Sequence, residues 1–317
     1  MKWLFAFSLF PTQASSMAGK VDALFFYLIA VAVFFSVLIF ALVVFFAIRY
    51  RRRSDQDRPK EIHGNLMLEL VWSFIPLALT VVMFFWGAKL FFQESVPPQN
   101  ASELFVVAKR WMWKIQHPEG PREINELHLP LDQAVKLTMT SEDVIHSFYV
   151  PDFRVKMDVL PGRYTRLWFE PNRVGTYHLF CAEYCGTKHS EMRGTIVVMQ
   201  PADYQQWLDK MKATEKPMAS RGEDLFTKNR CVSCHGDVPS RRGPTLENLF
   251  NSSVKLNNGS YVMADENYIR ESILNPEAKM VDGYNPLMPT FKGLLTEEEL
   301  VDILTYIKSL GEINKHE

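Results

Sequence analysis

The chain has 317 residues, with 35 basic and 36 acidic side chains and a formal net charge of −1. This length suffices for two or three modest domains, and the balanced charge argues against a nucleic-acid-binding protein. The charge is unevenly spread, because residues 1–88 carry 8 basic and 5 acidic side chains, residues 89–218 carry 16 of each, and residues 219–317 carry 11 and 15. A positive N-terminal part therefore leads to a mildly acidic C-terminal part.

The first 19 residues, 1–19, leave two interpretations open. Lys2 is followed by the apolar run Trp3–Phe10 and then by small residues, an order typical of a short cleavable signal peptide. The apolar run is short for that purpose, so a plain exported N-terminus is an equal alternative. We expect no lipoprotein anchor, because no cysteine precedes Cys181.

Two long uncharged runs follow, Ala23–Ile48 with 26 residues and Leu70–Ala88 with 19. As a helix the first run would reach about 39 Å, which exceeds the roughly 30 Å hydrocarbon core of a membrane. Five arginines and a lysine lie between the runs and mark the cytoplasmic side. The sequence therefore predicts a transmembrane hairpin over residues 20–90, anchored in membrane lipid, with both termini outside the cytoplasm.

Glu69 stands at the cytoplasmic start of the second apolar run. A carboxylate just inside a membrane span is a candidate functional residue. Near the membrane surface its energetic cost is small, so an ordinary acidic residue at a helix start explains Glu69 equally well.

Residues 91–212 are predicted to form a β-domain that ends in a helix over Asp203–Lys212. Short β-rich runs broken by Pro, Gly and Asn are typical of a Greek-key sandwich. The clearest runs are Glu103–Ala108, Ala134–Thr140, Thr165–Glu170 and Thr195–Met199. Residues 213–219 are polar and contain Pro217, and they are predicted to be a linker.

Four metal ligands lie within twelve residues, at Cys181, Cys185, His189 and Met192. Thiolate, imidazole and thioether groups together favour copper over hard cations. Two thiolates can bridge two copper ions and let one electron spread over both. The same spacing also fits one face of a core helix, and a disulfide or a zinc site is a further alternative. Gly186 within the motif favours a loop.

A second histidine ligand has to come from elsewhere, and His146 in the run His146-Ser-Phe-Tyr-Val-Pro is the candidate. A lone histidine in an apolar run is more often structural. However, this run and the segment from Cys181 to Met192 together resemble the dinuclear copper A site in subunit II of haem–copper cytochrome c oxidases. The resemblance implies a cupredoxin barrel whose copper ligands are His146, Cys181, Cys185, His189, Met192 and the backbone carbonyl of Glu183.

The same resemblance implies roles for other residues. The carboxylate of Glu183 would reach a magnesium ion shared with subunit I. Trp111 of the run Trp111-Met-Trp113 would lie over the copper site at the electron-accepting surface, although sheet packing also explains an aromatic residue there. Glu69 would lie at the mouth of a proton-conducting path. Asp158 and Arg163 would face the catalytic subunit, where surface salt bridges explain them nearly as well.

Residues 220–317 contain a second redox motif, Cys231-Val-Ser-Cys234-His235. This C-x-x-C-H pattern is typical of covalent haem attachment, since each cysteine bonds one vinyl group and the histidine meets the iron. Zinc or thioredoxin-like sites are alternatives, but neither requires the histidine. Haem attachment takes place outside the cytoplasm, in agreement with the topology predicted from the arginines.

Met288 is the predicted sixth haem ligand, with Met280 and Met263 as rivals. The setting of Met288, in Asn285-Pro-Leu-Met-Pro-Thr-Phe291, resembles class I cytochromes c. That resemblance implies an all-α domain in which Gly222 contacts Tyr306 where two helices cross. It also implies that the carbonyl group of Pro244 holds His235. His/Met ligation raises the haem potential and suits an electron carrier.

Together these features identify the chain as a member of the subunit II family in its bacterial cytochrome-c-fused, caa3-type form. The implied path runs from an external donor, such as a cytochrome c, to haem c, then copper A, then the oxygen-reducing centre of subunit I, with proton pumping. Subunits I and III are the expected partners in the bacterial inner membrane, with the redox domains outside. A copper-delivery protein and a relay for nitrous oxide reduction are the alternatives, whereas the cysteines exclude a quinol oxidase subunit.

Overall fold

The computed structural model describes residues 10–58, 63–212, 214–236 and 242–311. The chain divides into two compact units, one of residues 16–96 and one that combines residues 1–15 with residues 97–317. Parts of several predicted features lie outside the described residues: residues 1–9 of the N-terminal segment, Lys60 of the basic cluster, residue 213 of the linker and residues 312–317 of the C-terminal domain. The predicted domain limits stay predictions.

Two helices, α1 (Ala18–Arg49) and α2 (Leu66–Ser95), make up the smaller unit and contain the two predicted spans. Both are long and apolar enough to cross a membrane. They contact each other through Tyr27, whose hydroxyl donates to the carbonyl of Leu79 at 3.1 Å and whose ring lies 5.6 Å from that of Trp86. Most of the apolar side chains point outward, as a helix in lipid requires.

Two five-stranded sheets form the β-domain, with strand orders β3-β2-β1-β5-β8 and β4-β10-β9-β6-β7. The four predicted runs are β1, β5, β8 and β10. The strands are β1 (Ser102–Lys109), β2 (Met112–Gln116), β3 (Arg122–Ile124), β4 (Glu126–Pro130), β5 (Val135–Ser141), β6 (His146–Val150), β7 (Val155–Val159), β8 (Thr165–Phe169), β9 (Gly175–Cys181) and β10 (Arg193–Met199).

The core of the β-domain lies between its two sheets, because alternate residues of each strand point to opposite faces. In β1, Leu104 and Val106 join the core with Trp113 and Phe148. The opposite face of the same sheet carries Phe105, which belongs to a different apolar cluster described below. The mixed, Greek-key arrangement of antiparallel pairs with two parallel pairs agrees with the predicted cupredoxin class.

The C-terminal part of the larger unit is mainly helical, and we call it the cytochrome domain after the family that its haem motif resembles. Its elements are α4 (Met218–Lys228), α5 (Glu266–Leu274) and α6 (Glu297–Ser309), with a small hairpin of β11 (Ser253–Lys255) and β12 (Tyr261–Met263). The helix α3 (Pro201–Lys212) precedes it, as predicted. Helix α6 begins with a reciprocal capping box formed by Thr296 and Glu299. Helix α5 and the hairpin were not predicted.

Helices α4 and α6 cross at Gly222, which confirms the predicted contact. A Cβ atom at this position would lie 2.1 Å from the carbonyl oxygen of Asp302 and 2.7 Å from the Cβ atom of Tyr306. The ring of Tyr306 also lies 5.4 Å from that of Phe226, on the same side of α4. Only glycine permits the two backbones to approach so closely.

The substitution Gly222→Ala should destabilise the cytochrome domain by about 1–3 kcal/mol, because the new methyl group would overlap backbone atoms that cannot rotate away. This cost should exceed the gain of about 1 kcal/mol that alanine brings to a helix interior. Chemical denaturation of the full chain in detergent, followed by helical circular dichroism, would measure it. The exposed Ser220→Ala on the same helix is the control, and equal stability of the two variants would contradict the prediction.

Candidate copper and haem sites

The strand pairing of one sheet brings the candidate copper ligands together. Strands β6 and β9 pair with Phe148 opposite Cys181, which places His146 beside the end of β9. The chain then forms a loop with a single short 3-10 turn, His189–Glu191, before it returns as β10. The motif is therefore a loop, as Gly186 indicated, and the alternative of a core helix is wrong.

Four side chains of this loop motif converge with that of His146 on β6. The Sγ atoms of Cys181 and Cys185 lie 3.8 Å apart. The Nδ1 atom of His146 lies 3.9 Å from the Cys181 sulfur, and the Nδ1 atom of His189 lies 3.5 Å from the Cys185 sulfur. The Met192 Sδ atom lies 3.8 Å from Cys185. Both cysteines are free, so the disulfide alternative is wrong in this structure.

The main chain of Glu183 completes the shell of donor atoms. Its carbonyl oxygen lies 3.2 Å from the Cys181 sulfur, while its side chain is exposed. Two thiolates, two imidazoles, one thioether and one carbonyl form a soft and borderline donor set, which fits copper and is atypical of zinc.

The two thiols differ in acidity. Burial tends to raise the pKa of both, but the hydrogen bond with His146 lowers the pKa of Cys181 below its usual value. Burial and the adjacent negative charge of Cys181 raise the pKa of Cys185. A second thiolate so close to the first is therefore costly unless a cation lies between them.

Asp143 orients His146, and the sequence-based prediction missed it. Its Oδ1 atom lies 2.9 Å from His146 Nε2, which leaves Nδ1 facing the sulfur of Cys181. The backbone N–H groups of Arg110 and Val144 donate to the carboxylate. Although burial opposes it, these bonds and the one to His146 lower the pKa of Asp143 far below its usual range. An acid three residues before the histidine was the available signal.

Trp111 lies against the copper loop. A Cβ atom on Gly186, whose φ is +121°, would lie 3.4 Å from the Trp111 ring. The indole is half-buried and packs on the edge of the β-domain core. The structure thus places Trp111 beside the copper loop, while its role in electron transfer stays a prediction.

The residues predicted for the proton path and for the interface with subunit I lie outside the copper loop in sequence, and their side chains are exposed. Glu69 lies in the first turn of α2, which Asn65 caps by accepting from the backbone of Leu68 at 3.2 Å. Asp158 accepts a hydrogen bond of 2.8 Å from Ser147. The roles proposed for Glu69, Asp158 and the exposed Arg163 stay predictions.

The second site is a cavity of about 500 Å³ in the cytochrome domain. Cys231, Cys234 and His235 line one side of it, and Met280 and Met288 also belong to its wall. Met263 lies on β12, is 55% exposed and is not among the described residues of this wall, so it is the weakest of the three candidate ligands.

His235 is held as the resemblance implied. Its Nδ1 atom lies 2.8 Å from the carbonyl oxygen of Pro244, which leaves Nε2 for the cavity. A Cβ atom on Gly243 would lie only 3.0 Å from the His235 ring, so the glycine allows this close approach. The size and largely apolar wall of the cavity, with a C-x-x-C-H turn at its edge, fit a covalently attached haem.

A buried polar cluster elsewhere in the β-domain also escaped the sequence-based prediction. The carboxylate of Glu123 bridges His117 and His128, with its Oε1 atom 2.8 Å from His117 Nε2. His128 stacks on Trp207 of α3 at 4.6 Å. Each carboxylate oxygen of Glu123 thus has a histidine partner. Because His128 stacks on Trp207, the cluster fastens α3 to the sheet.

Comparison with known families agrees with these two sites. Residues 3–91 match the family model of the cytochrome c oxidase subunit II transmembrane domain, and residues 121–200 match that of its periplasmic domain. Residues 219–311 match the cytochrome c family model. The chain belongs to the cytochrome c oxidase subunit II family. It carries a cytochrome c domain at its C-terminal end, as in a caa3-type fusion.

Two of the proteins similar to this chain match it over most of their length. Cytochrome c oxidase subunit 2 of Alkalihalophilus pseudofirmus is 27% identical over 289 residues, which cover 87% of this chain and 82% of that protein. The same subunit of Bacillus sp. strain PS3 is 25% identical over 82% of this chain and 80% of its own length. The crystal structure of the periplasmic domain of the Bradyrhizobium japonicum subunit is 26% identical over 38% of this chain and 99% of that domain, with a TM-score of 0.36.

Membership of the family decides several open questions. The chain is a membrane protein of a cytochrome c oxidase, it associates with other oxidase subunits, and it takes part in electron transfer. Its domains imply copper and haem as cofactors. The copper-delivery and nitrous oxide alternatives are thereby set aside.

The substitution Asp143→Asn should weaken copper retention about 10- to 100-fold, because an amide no longer fixes the orientation and basicity of His146. Competition for copper between the full chain and a chelator would measure the change. Glu142→Gln is the matched control, since Glu142 pairs with Lys109 and Lys114 instead. Equal retention in both variants would show that Asp143 does not orient a ligand.

Proposed function

We propose that the chain accepts electrons at a covalently bound haem c and passes them through a dinuclear copper A centre to the haem–copper site of subunit I. The observation that carries this proposal is the convergence of His146 of β6 with Cys181, Cys185, His189 and Met192 of the loop between β9 and β10. The haem cavity lies in the same compact unit, so both redox sites belong to one continuous body of protein.

The two cysteine sulfurs would bridge the copper ions. Their Sγ atoms lie 3.8 Å apart, and each sulfur has one imidazole Nδ1 within 4 Å. Met192 and the Glu183 carbonyl would complete the shell. Bound copper would supply a one-electron carrier shared over two ions. The chain would hold its ligands on strand ends, so that little rearranges when the electron arrives.

Cys231 and Cys234 would form the thioether bonds to haem, and His235 would be its first axial ligand. The Pro244 carbonyl fixes the ring of His235 by accepting from Nδ1. We assign the sixth ligand to Met288 rather than to Met280, because its Met-Pro-x-Phe setting resembles class I cytochromes c. A His/Met pair suits an electron carrier.

Several side chains that are not copper or haem ligands would serve contacts with partners. The half-buried Trp111 would carry electrons toward the copper loop, and the exposed carboxylate of Glu183 would bind magnesium with subunit I. Subunits I and III would cover the hairpin in the bacterial inner membrane, and Glu69 would deliver protons for pumping. An external donor such as a cytochrome c would reduce the haem. The apolar outer faces of α1 and α2 support the contact with membrane partners, and the exposure of Glu69 supports its place on the proton path.

The substitution Cys185→Ser should abolish the shared-electron state, because serine does not bridge two copper ions. In the full chain loaded with copper, the electron paramagnetic resonance spectrum should change from hyperfine splitting by two copper nuclei to splitting by one, or to none. Tyr184→Phe alters an exposed neighbour in the same loop and should keep the two-copper pattern. A two-copper pattern that survives in the serine variant would contradict the proposed ligands.

Replacing each of the two cavity methionines with leucine tests which of them is the sixth haem ligand. Met288→Leu should convert the ferric haem from a six-coordinate low-spin form toward a five-coordinate form, because leucine provides no ligand atom. Met280→Leu should leave the haem low-spin. The visible and near-infrared absorption of the haem-loaded full chain would record the spin state in both variants. The reverse outcome would identify Met280 as the sixth ligand of the iron.

A further inference from the structure

The cytochrome domain packs on the outer face of one sheet of the β-domain. Phe105 of β1 and Tyr164, which are 1% and 3% exposed, belong to the apolar cluster of the cytochrome domain. The backbone N–H of Tyr164 donates to Asn267 of α5 at 2.8 Å, and Arg270 donates to the carbonyl of Gly162 at 2.7 Å. The two domains therefore share a built interface, beyond the linker that joins them.

Glu266 of α5 is the centre of this interface, with its side chain only 2% exposed. It pairs with Arg166 of β8 and with Lys308 of α6, whose Nζ atom lies 2.9 Å away. Lys308 also binds Glu103 of β1 at 2.9 Å, and Glu103 binds Lys136 of β5 at 2.8 Å. A chain of alternating charges thus crosses from one domain to the other and back.

The Glu266 carboxylate is ionised at neutral pH. Burial by itself would raise its pKa, but Lys308 and Arg166 lower the pKa to about 2. The pKa of Glu103 is likewise lowered, by Lys308 and Lys136 against the effect of burial. Both carboxylates therefore keep their ion pairs under ordinary conditions.

A second set of contacts anchors the other end of α6. Lys114 of β2 pairs with Glu298, and Arg122 of β3 lies 3.6 Å from Asp302. Glu298 and Lys308 are ten residues apart, which corresponds to about 15 Å along a helix. Anchors at both ends fix the direction of α6 on the sheet as well as its position.

Buried ion pairs contribute modestly to net stability, but the removal of one partner leaves an uncompensated buried charge. Such pairs therefore penalise every orientation of the two domains except the one that satisfies them. An apolar patch alone would allow the cytochrome domain to slide or rotate, because apolar contact is not directional. The alternating charges specify a single register between α6 and the sheet.

This register matters for the copper site. Lys114, which holds Glu298, follows Trp113, and the buried ring of Trp113 lies edge-on to that of His146 at 6.1 Å. The cytochrome domain is thereby held against the strand that contacts a proposed copper ligand. Electron transfer depends steeply on distance, so a fixed register would set its rate.

We propose that Glu266 is a positioning residue that holds the cytochrome domain in one orientation on the β-domain, and that haem-to-copper electron transfer takes place from this docked state. The inference rests on the proposed function and adds to it that the domain is not released between electrons. The buried charge network would keep the two redox sites at a constant separation.

The test compares Glu266→Gln with Glu271→Gln in the full chain, loaded with copper and haem, in detergent. Glu271 lies on the same helix but pairs with Lys279 of its own domain, so it is a matched control for loss of one charge. Hydrogen–deuterium exchange of β1, β5 and α6 reports docking without depending on either cofactor. Flash reduction of the haem then gives the rate at which the electron reaches copper.

Glu266→Gln should lose exchange protection in these three elements and slow the transfer severalfold or more, because an undocked haem lies at a longer and more variable distance from copper. The copper resonance and haem absorption spectra should stay unchanged, and Glu271→Gln should behave as the unmodified chain. Unchanged protection would overturn the proposal. Lost protection with an equal or faster rate would also overturn it, since the released domain would then be the donor.

A second variant covers the case in which Glu266→Gln fails to fold. Glu298→Gln removes the contact with Lys114 at the more exposed end of α6, and it should lower protection and rate in the same direction. Failure of the proposed function would look different, because the unmodified chain itself would then show no two-copper spectrum or no transfer from haem to copper, whatever its exchange protection.

Discussion

The pairing of β6 with β9 is the constraint on which the copper site depends. It brings His146 beside Cys181, although 35 residues separate them in the chain. Backbone hydrogen bonds between strands are short and directional, so a slip of one residue would turn His146 to the opposite face of the sheet. The loop that follows β9 then has few conformations open to it, because both of its ends are fixed by the pairing of β9 with β10.

The two redox sites are built in different ways. The copper site takes four side-chain ligands and the Glu183 carbonyl from one loop motif and adds a single histidine from a neighbouring strand, so its geometry is mostly local. The haem site is a cavity between distant segments, with its attachment turn at Cys231–His235 and its two methionines some fifty residues later. Such a cavity requires the whole helical domain to close around it, and the contact at Gly222 helps that closure.

The forces that stabilise each domain differ from those that join the two domains. Each domain has its own apolar core, which supplies the non-directional stabilisation of folding. The interface between them instead combines two aromatic side chains with a network of buried ion pairs centred on Glu266. Apolar burial favours association of the two domains, whereas charge pairing specifies their orientation.

The sequence by itself determined the two long apolar helices, the four clearest strands and the local ligand motifs. Each of these depends on residues close together in the chain, where periodicity, charge and spacing follow directly from backbone geometry. The recognition of His146 and Met288 needed family resemblance, because a lone histidine or methionine carries no local signal. Only the tertiary structure decided that Asp143 turns His146 toward the sulfurs and that α5 and α6 are fixed to the sheet through Glu266. Those features join residues that are distant in sequence or distinguished by orientation alone, and such pairings are set by packing rather than by local pattern.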